Sequence, residues 1–233
     1  MLLLFDIDGT LLRGATDAHR AAMHEALRVV HGVEPDGVEV RVPVAGRTDG
    51  DIARSILLEA GISAVRIDER ADAVREVCCR TYARFSADLD LAPLVVPGMP
   101  QVLEWLSSHD GTALALVTGN YEAVAHLKLH RAGIGRWFPR GQGAFGSDSE
   151  DRAALPAIAR RRAGRPGAPY PRSETVVIGD TPRDIACARA DGLRCVAVTT
   201  GPYGADELSE ADFVADGSDG LRDALTELLR ISP

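Results

Sequence analysis

The stretch Leu2-Leu3-Leu4-Phe5-Asp6-Ile7-Asp8-Gly9-Thr10-Leu11-Leu12 sets the organisation of the whole chain. It opens with an apolar run that is typical of a buried strand and then changes to two acids, a glycine and a threonine. Residues two apart in a strand point to the same face, so Asp6 and Asp8 would share one side. Gly9 lets the chain turn directly after them. The pattern predicts two carboxylates at the carboxyl end of a buried strand, which is where open α/β sheets bind ligands.

Two carboxylates held this close repel each other unless a cation lies between them. A hard divalent ion with oxygen ligands suits such a pair, and Mg2+ fits best. The alternative is that Asp6 and Asp8 only cap an ordinary turn. We favour the metal-binding interpretation because two later stretches of the chain carry polar residues in matching positions.

Composition limits the classes of protein to consider. At 233 residues the chain allows one large domain, or a core with a smaller insert. A formal net charge of -8 argues against nucleic acid as a partner. Acids follow the short apolar N-terminus at once, which argues against a signal peptide or a membrane span. The four cysteines show no zinc-binding spacing. We therefore expect a cytoplasmic globular enzyme.

Apolar periodicity divides the chain into two regions. Three segments between residues 14 and 90 have helical spacing and no strand pattern: 18–30, 51–60 and 68–85. From residue 91 onward, helices alternate with short apolar runs that predict strands at 112–117, 144–145, 175–178, 195–198 and 213–214. The prediction is an α/β fold: a doubly wound, Rossmann-like parallel sheet formed by residues 1–13 and 91–233, with a helical cap, residues 14–90, inserted after the first strand.

Polar residues follow three of the predicted strands. Asp6 and Asp8 follow the first strand, and Thr118-Gly119-Asn120 follows the strand at 112–117. Asp180 and Asp184 follow the strand at 175–178. Parallel strands bring their carboxyl ends to one edge of a sheet, so these groups can converge. Asp180 and Asp184 would add carboxylates to a metal site. Thr118 and the backbone N–H groups after it suit an anionic oxygen at a helix start.

These three motifs, in this order, resemble those of the haloacid dehalogenase-like hydrolase superfamily, in its helical-capped phosphatase branch. Asp6-Ile7-Asp8-Gly9-Thr10 matches the first motif of that family, and Leu116-Val117-Thr118-Gly119-Asn120 is similar to the second. Val177-Ile178-Gly179-Asp180-Thr181-Pro182-Arg183-Asp184 is similar to the fourth. The dehalogenases of the superfamily lack the second acid of the first motif. The resemblance therefore implies a Mg2+-dependent phosphatase of small phosphate monoesters, such as phosphoglycolate or a sugar phosphate.

The resemblance also implies a role for each motif residue. Asp6 would be the nucleophile and form an aspartyl-phosphate. Asp8 would protonate the leaving oxygen and later activate water. Thr118 would hold a phosphoryl oxygen. Mg2+ would be bound by Asp6, by the backbone carbonyl of Asp8 and by Asp180, with Asp184 as a direct or an outer ligand.

The predicted cap gives one indication of the substrate. A closed helical cap favours a small soluble ester, which would contact Gly119 and Asn120 beside the phosphoryl group. Arg47, in the segment Gly46-Arg47-Thr48-Asp49, could bind a second anionic group of that ester. The alternative is that Arg47 is a solvated loop residue. Asp49 could cap the helix that follows.

The third motif of the family is where this chain departs from the pattern. Related phosphatases often carry Lys-Pro after the third strand, whereas Ser147-Asp148-Ser149-Glu150-Asp151-Arg152 contains no lysine. Lys128 is the only lysine among the 26 basic residues and lies on the helix after Thr118. Because arginine and lysine are not interchangeable at a tight charge site, we favour Lys128, with its ammonium expected at hydrogen-bonding distance from Asp6. Arg152 is the second candidate.

Two other functions are compatible with the motifs. A phosphomutase could use the same scaffold, and a catalytically idle binding or regulatory protein could retain it. The presence of Asp6, Asp8 and Asp180 together argues against the idle protein. We expect a small-molecule phosphate ester as the partner, no nucleic acid, no membrane, and a monomer or a homodimer.

Overall fold

Strand β1, Leu2–Phe5, lies in the middle of a six-stranded parallel sheet. The structure is a computed structural model, and it describes residues 1–35 and 44–231. The strand order is β3-β2-β1-β4-β5-β6, with every neighbouring pair parallel. The other strands are β2 Ala113–Thr118, β3 Ala144–Phe145, β4 Thr175–Gly179, β5 Arg194–Val198 and β6 Phe213–Ala215. The predicted doubly wound fold is confirmed.

Both faces of β1 are buried, which explains its unbroken apolar sequence. Leu3 and Phe5 point into one hydrophobic cluster, and Leu2 and Leu4 point into the other. A parallel sheet covered by helices on both faces needs such strands. The ladder continues one residue further, since the Asp6 N–H donates to the Ile178 carbonyl at 2.9 Å. Asp6 therefore emerges at the carboxyl edge of the sheet.

Five helices cover the two faces of the sheet. The first face is covered by α4 Met99–Ser107, α5 Glu122–Arg131 and α8 Gly217–Ile231. The second is covered by α6 Leu155–Ala163 and α7 Pro182–Ala190. Among the described helices, none is long and apolar enough to cross a membrane.

The cap consists of three helices over the carboxyl edge of the sheet: α1 Asp17–His31, α2 Asp49–Glu59 and α3 Ala64–Phe85. They share a hydrophobic cluster that includes Ala26, Leu57 and Tyr82 and extends to Val124 of α5. The parts of residues 14–90 that the structure describes contain no named strand. Residues 36–43, which the predicted cap includes, lie outside the described part, and the boundaries at 14 and 90 stay a prediction.

Polar contacts hold the cap against the core. The Asp49 N–H donates to the Gly119 carbonyl at 2.8 Å. The hydroxyl of Thr48 donates to the Glu150 carbonyl at 2.7 Å, and Arg54 of α2 forms an ion pair with the Glu150 side chain. These contacts close the cap directly over the second strand-end motif.

Candidate active site

Three buried carboxylates meet at the carboxyl edge of the sheet. Asp6 follows β1, Asp180 follows β4, and Asp184 lies in the first turn of α7. One oxygen from each lies within 4.8 Å of the others. Burial raises the pKa of Asp6 and of Asp180, and repulsion from the neighbouring acids raises both further. The repulsion between these carboxylates would be relieved by a bound cation.

Asp180 carries an oxygen that is positioned and free to bind. Its Oδ1 accepts a hydrogen bond from Thr10 at 3.0 Å, which fixes the carboxylate. Its Oδ2 is buried and has no hydrogen-bond partner among the described residues. Gly9, with φ at 93°, and Gly201 leave the space around that oxygen, because a Cβ at either position would overlap it. This donor set fits a hard divalent cation.

The carboxylate of Asp184 makes more hydrogen bonds within the protein than those of Asp6 and Asp180. Its Oδ2 accepts from the backbone N–H of Thr181 at 3.0 Å and from the Thr181 hydroxyl at 2.7 Å, completing the capping box of α7. Its Oδ1 accepts from Arg152. With both oxygens engaged, Asp184 orients the cluster and holds Arg152 in place.

Asp8 is paired with a buried lysine. The Lys128 ammonium donates to its two carboxylate oxygens at 2.8 and 2.7 Å, and Asn120 Nδ2 donates at 2.9 Å. Burial alone would raise the pKa of Asp8, but the charge and hydrogen bonds of Lys128, the nearby His19 and the Asn120 hydrogen bond together lower that pKa. The expected contact between Lys128 and Asp6 is wrong: among the described residues, the ammonium donates to Asp8. Asp8 lies two residues beyond Asp6, and the side chain from α5 reaches it there.

Arg152 is the cation that lies next to Asp6. It is buried, its Nη2 lies 3.2 Å from Asp6 Oδ1, and it donates to Asp184. The turn of 3-10 helix at Arg152–Ala154 packs beside α7 and brings the guanidinium to the cluster. Both candidates for the third motif therefore lie at the site: Lys128 contacts Asp8, and Arg152 contacts Asp6.

Arg47 is not a solvated loop residue, since its side chain is only 7% exposed. Its guanidinium donates to both oxygens of Asp51, at 2.6 and 2.7 Å, and to Ser55. The remaining nitrogen, Nη1, is buried without a hydrogen-bond partner among the described residues. Arg47 lines the same cavity as Asp6 and Asp8. A fixed guanidinium with one free nitrogen suits an anionic group of a ligand.

The second motif, Thr118-Gly119-Asn120, lies against the cap segment that contains Arg47. Thr118 is fully buried, and its hydroxyl oxygen accepts from the Asn120 N–H at 3.3 Å. Gly119 has no room for a side chain, because a Cβ would overlap the backbone of Arg47. Asn120 uses its amide nitrogen on Asp8, while its Oδ1 is buried without a partner in the described part of the chain.

The sequence interpretation missed a contact between cap and core centred on Asp49. Asp49 Oδ2 lies 3.0 Å from His19 Nε2 and accepts from the Tyr121 N–H at 2.7 Å. Asp49 was expected to cap α2, but Thr48 caps it by accepting from the Asp51 N–H. His19 lines the cavity together with Asp8. No spacing in the sequence pointed to this pair.

One cavity of about 650 Å³ is lined by most of these groups, though not by Thr118, Lys128 or Asp184. The acids Asp6, Asp8 and Asp180 form its floor on the core side, together with Arg152. Helices α1 and α2 of the cap form the opposite wall. The site can therefore enclose an anionic ligand between the carboxylates, the fixed cations and the cap.

A family model described as haloacid dehalogenase-like hydrolase matches residues 3–189. The chain belongs to the haloacid dehalogenase-like hydrolases. A phosphoglycolate phosphatase from Pseudomonas fluorescens is 30% identical over 204 residues, covering 86% of this chain and 70% of that one. Phosphoglycolate phosphatase 1 from Pseudomonas aeruginosa is 28% identical over 228 residues, 96% of this chain and 78% of the relative. These relatives place this hydrolase among the phosphatases of its family.

A solved β-phosphoglucomutase from Clostridium difficile has the same fold as this hydrolase. The two superpose with a TM-score of 0.70 at 15% identity, over 98% of this chain and 96% of the other. At that identity the likeness concerns the fold alone.

Proposed function

We propose that this haloacid dehalogenase-like hydrolase cleaves a small phosphate monoester in a Mg2+-dependent reaction through an aspartyl-phosphate on Asp6. The observation that carries the proposal is that each of the two acids after β1 lies next to a different cationic side chain. The Arg152 guanidinium forms an ion pair with Asp6, whereas Lys128 and Asn120 donate hydrogen bonds to Asp8. The four free thiols fit a cytoplasmic enzyme.

The two acids would share the chemistry in two steps. In the first, an Asp6 oxygen bonds to phosphorus, the ester P–O bond breaks, and protonated Asp8 gives its proton to the leaving oxygen. In the second, the Asp8 carboxylate takes a proton from a water whose oxygen bonds to phosphorus, which frees Asp6 and inorganic phosphate. Lys128 favours the carboxylate form of Asp8, which is the form that the second step needs.

Asp6, Asp180 and the backbone carbonyl of Asp8 would hold the Mg2+ ion, with Asp184 orienting the cluster. The ion would supply charge that offsets the phosphoryl oxygens and the acids around them. Thr118, Gly119 and Asn120 lie at the second strand end, where we propose that the phosphoryl oxygens bind. Arg47 would bind a second anionic group, as a carboxylate-bearing or sugar phosphate offers.

A screen of phosphate esters would test the proposal directly. The purified protein is incubated with each ester and either Mg2+ or excess EDTA, and released inorganic phosphate is measured. We expect release from at least one small ester with Mg2+ and none with EDTA. Full activity in excess EDTA would exclude the metal-dependent reaction. An isomerised phosphate ester as the product, without free phosphate, would identify a mutase instead.

Mg2+ should also raise the melting temperature (Tm) of the protein, and more so at higher pH. Burial among acids raises the pKa of Asp6 from 3.8 to about 6 and that of Asp180 from 3.8 to about 8. A raised folded-state pKa stabilises the fold below the unfolded value, and this stability is lost as the pH rises toward 8. Mg2+ offsets the loss by binding the deprotonated acids. The rise in Tm with Mg2+ should therefore grow between pH 5 and pH 8.

Calorimetry at several pH values, with and without Mg2+, would measure this difference. The Asp180→Asn variant should lose most of the effect, because the free Oδ2 of Asp180 is part of the proposed donor set. Asp148→Asn serves as the control, since Asp148 pairs with Arg162 outside the cluster. An equal rise in Tm at pH 5 and pH 8, or in Asp180→Asn, would contradict the metal assignment.

Replacing Arg47 with alanine should raise KM more than it lowers kcat, and only for esters with a second anionic group. A charge-assisted hydrogen bond contributes roughly 1.5–3 kcal/mol, so KM for phosphoglycolate should rise about 10- to 100-fold. KM for ethyl phosphate, which lacks the carboxylate, should change little. Steady-state kinetics with both esters measure this difference. An unchanged KM for phosphoglycolate would remove Arg47 from the binding site.

A further inference from the structure

One arginine of the cavity lining differs from the others in having no acid beside it. The arginines that line the cavity are Arg13, Arg20, Arg47 and Arg152. Three of them form ion pairs: Arg20 with Asp17, Arg47 with Asp51, and Arg152 with Asp6. Arg13 has no carboxylate partner in the part of the chain that the structure describes. Its charge is therefore available to an anionic ligand.

Contacts with the core hold Arg13 in place. Its backbone N–H donates to the Leu94 carbonyl at 2.8 Å, and its side-chain Nε donates to the Thr200 carbonyl at 2.9 Å. The Thr200 hydroxyl donates in turn to the carbonyl of Gly9, close behind the acids that follow β1. The terminal nitrogens of Arg13, Nη1 and Nη2, have no hydrogen-bond partner among the described residues. A guanidinium that is already fixed loses little further side-chain entropy when it binds an anion.

Arg13 lies at the open end of the cavity, whereas Arg47 lies inside it. Arg13 is an exposed residue, but the side chain of Arg47 is only 7% exposed. Arg47 has one free nitrogen, Nη1, and Asp51 offsets its charge. Asp6, which would bond to phosphorus, is buried at the floor. A ligand that reaches from Asp6 to Arg13 therefore spans the cavity from its floor to its mouth.

The size of the cavity suits a ligand longer than phosphoglycolate. At about 650 Å³ it falls in the range of roughly 300–1,000 Å³ that is usual for pockets binding drug-sized ligands. Phosphoglycolate carries a single methylene between its phosphate ester and its carboxylate. With the phosphoryl group at Asp6, we expect that carboxylate to meet the interior nitrogen of Arg47 and to leave Arg13 without a partner.

We infer that Arg13 binds an anionic group at the far end of the alcohol half of the substrate, which is therefore an ester longer than phosphoglycolate. This inference rests on the proposed phosphatase function and narrows its substrate class. The two free nitrogens of Arg13 suit a carboxylate or a second phosphate, since a guanidinium binds either with two parallel hydrogen bonds. Arg47 Nη1 then donates to a polar group between the two ends of the ester.

Two matched series of esters would test the inference. In the first, a carboxylate ends an alkyl phosphate chain that lengthens from phosphoglycolate, one methylene at a time, to about six methylenes. In the second, a methyl group replaces each carboxylate, beginning with ethyl phosphate. The ratio of kcat/KM between the two esters of equal length isolates the contribution of the anionic group. In the wild-type protein this ratio should be highest at a member longer than phosphoglycolate.

Two variants with the same change in net charge connect the ratio to Arg13. Arg13→Gln should lower it roughly 10-fold at the best long member, the scale of one hydrogen bond to a charged group, and change it little for phosphoglycolate. Arg165→Gln is the control, since Arg165 is also exposed but does not line the cavity. It should leave the ratio at the wild-type value for every length. Because the ratio compares two esters on one enzyme, a general loss of folded protein does not change it.

The outcomes separate this inference from the function on which it rests. A ratio that is highest at a long member and falls there in Arg13→Gln alone supports it. Phosphoglycolate cleaved with the highest ratio of its series overturns the inference and leaves the phosphatase intact. A ratio at the long members that is unchanged in Arg13→Gln, or that falls equally at every length, also overturns it. No phosphate release from any ester overturns both.

Discussion

Replacing Asp6 with asparagine is expected to lower kcat by at least about 10⁴-fold, the scale of loss seen when a catalytic nucleophile is removed. The amide is nearly the same size as the carboxylate but cannot form the acyl-phosphate, so the covalent step stops. Binding need not suffer, because one buried charge is removed from a cluster of three. Asp6→Asn should therefore bind a phosphate ester without turning it over.

The measurement combines single-turnover phosphate release with a melting curve. The melting curve shows that the variant is folded, and trapping with acid shows whether phosphate becomes attached to the protein. Asp88→Asn, at an exposed position of the cap, serves as the control. Turnover of Asp6→Asn near the wild-type rate would mean that the carboxylate of Asp6 is not the nucleophile.

Replacing Lys128 with methionine should cost on the order of 100-fold or more in kcat, with Mg2+ saturating. Methionine fills a similar volume but leaves Asp8 without its cation. The pKa of Asp8 should then rise, so less of it is in the carboxylate form that activates water. Arg152→Met should cost much less under the same conditions, because the ion that Asp6 and Asp180 would hold also offsets the charge on Asp6.

The two variants are best assayed side by side across a range of pH and Mg2+ concentrations. For Lys128→Met the pH profile should move to higher pH, and added Mg2+ should not restore the rate. For Arg152→Met the defect should be largest at low Mg2+ and shrink as Mg2+ increases. The reverse ordering at saturating Mg2+ would assign the main transition-state charge to Arg152.

The sequence was sufficient to predict the sheet and the convergence of the acids because each has a local signal. An apolar run that ends in Asp-Ile-Asp-Gly specifies both a buried strand and a turn, and β1 and Asp6 lie where that pattern puts them. The same holds for Asp180 and Asp184 after β4. Parallel strand ends lie at one edge of a sheet, so convergence of these acids follows from topology.

Contacts between distant side chains could not be predicted in the same way. Lys128 could reach Asp6 or Asp8 from α5, because the two acids are only two residues apart after β1. The contact of His19 with Asp49 joins two cap helices and has no periodic signal. One contact has a local signal: Arg47 lies just before α2 and four residues from Asp51, the spacing that favours ion pairs on a helix.

The position of β1 between β2 and β4 also bears on how the protein folds. The first strand to be synthesised has neighbours that arrive much later, and the hydrogen bond from Thr10 to Asp180 joins residues 170 positions apart. Non-local parallel pairing of this kind forms slowly, because a long loop must close before the contacts can stabilise it. We therefore expect the acids that would hold the metal to come together late in folding. Recovery of activity on refolding would consequently report completion of the sheet, and should lag behind recovery of helical circular dichroism.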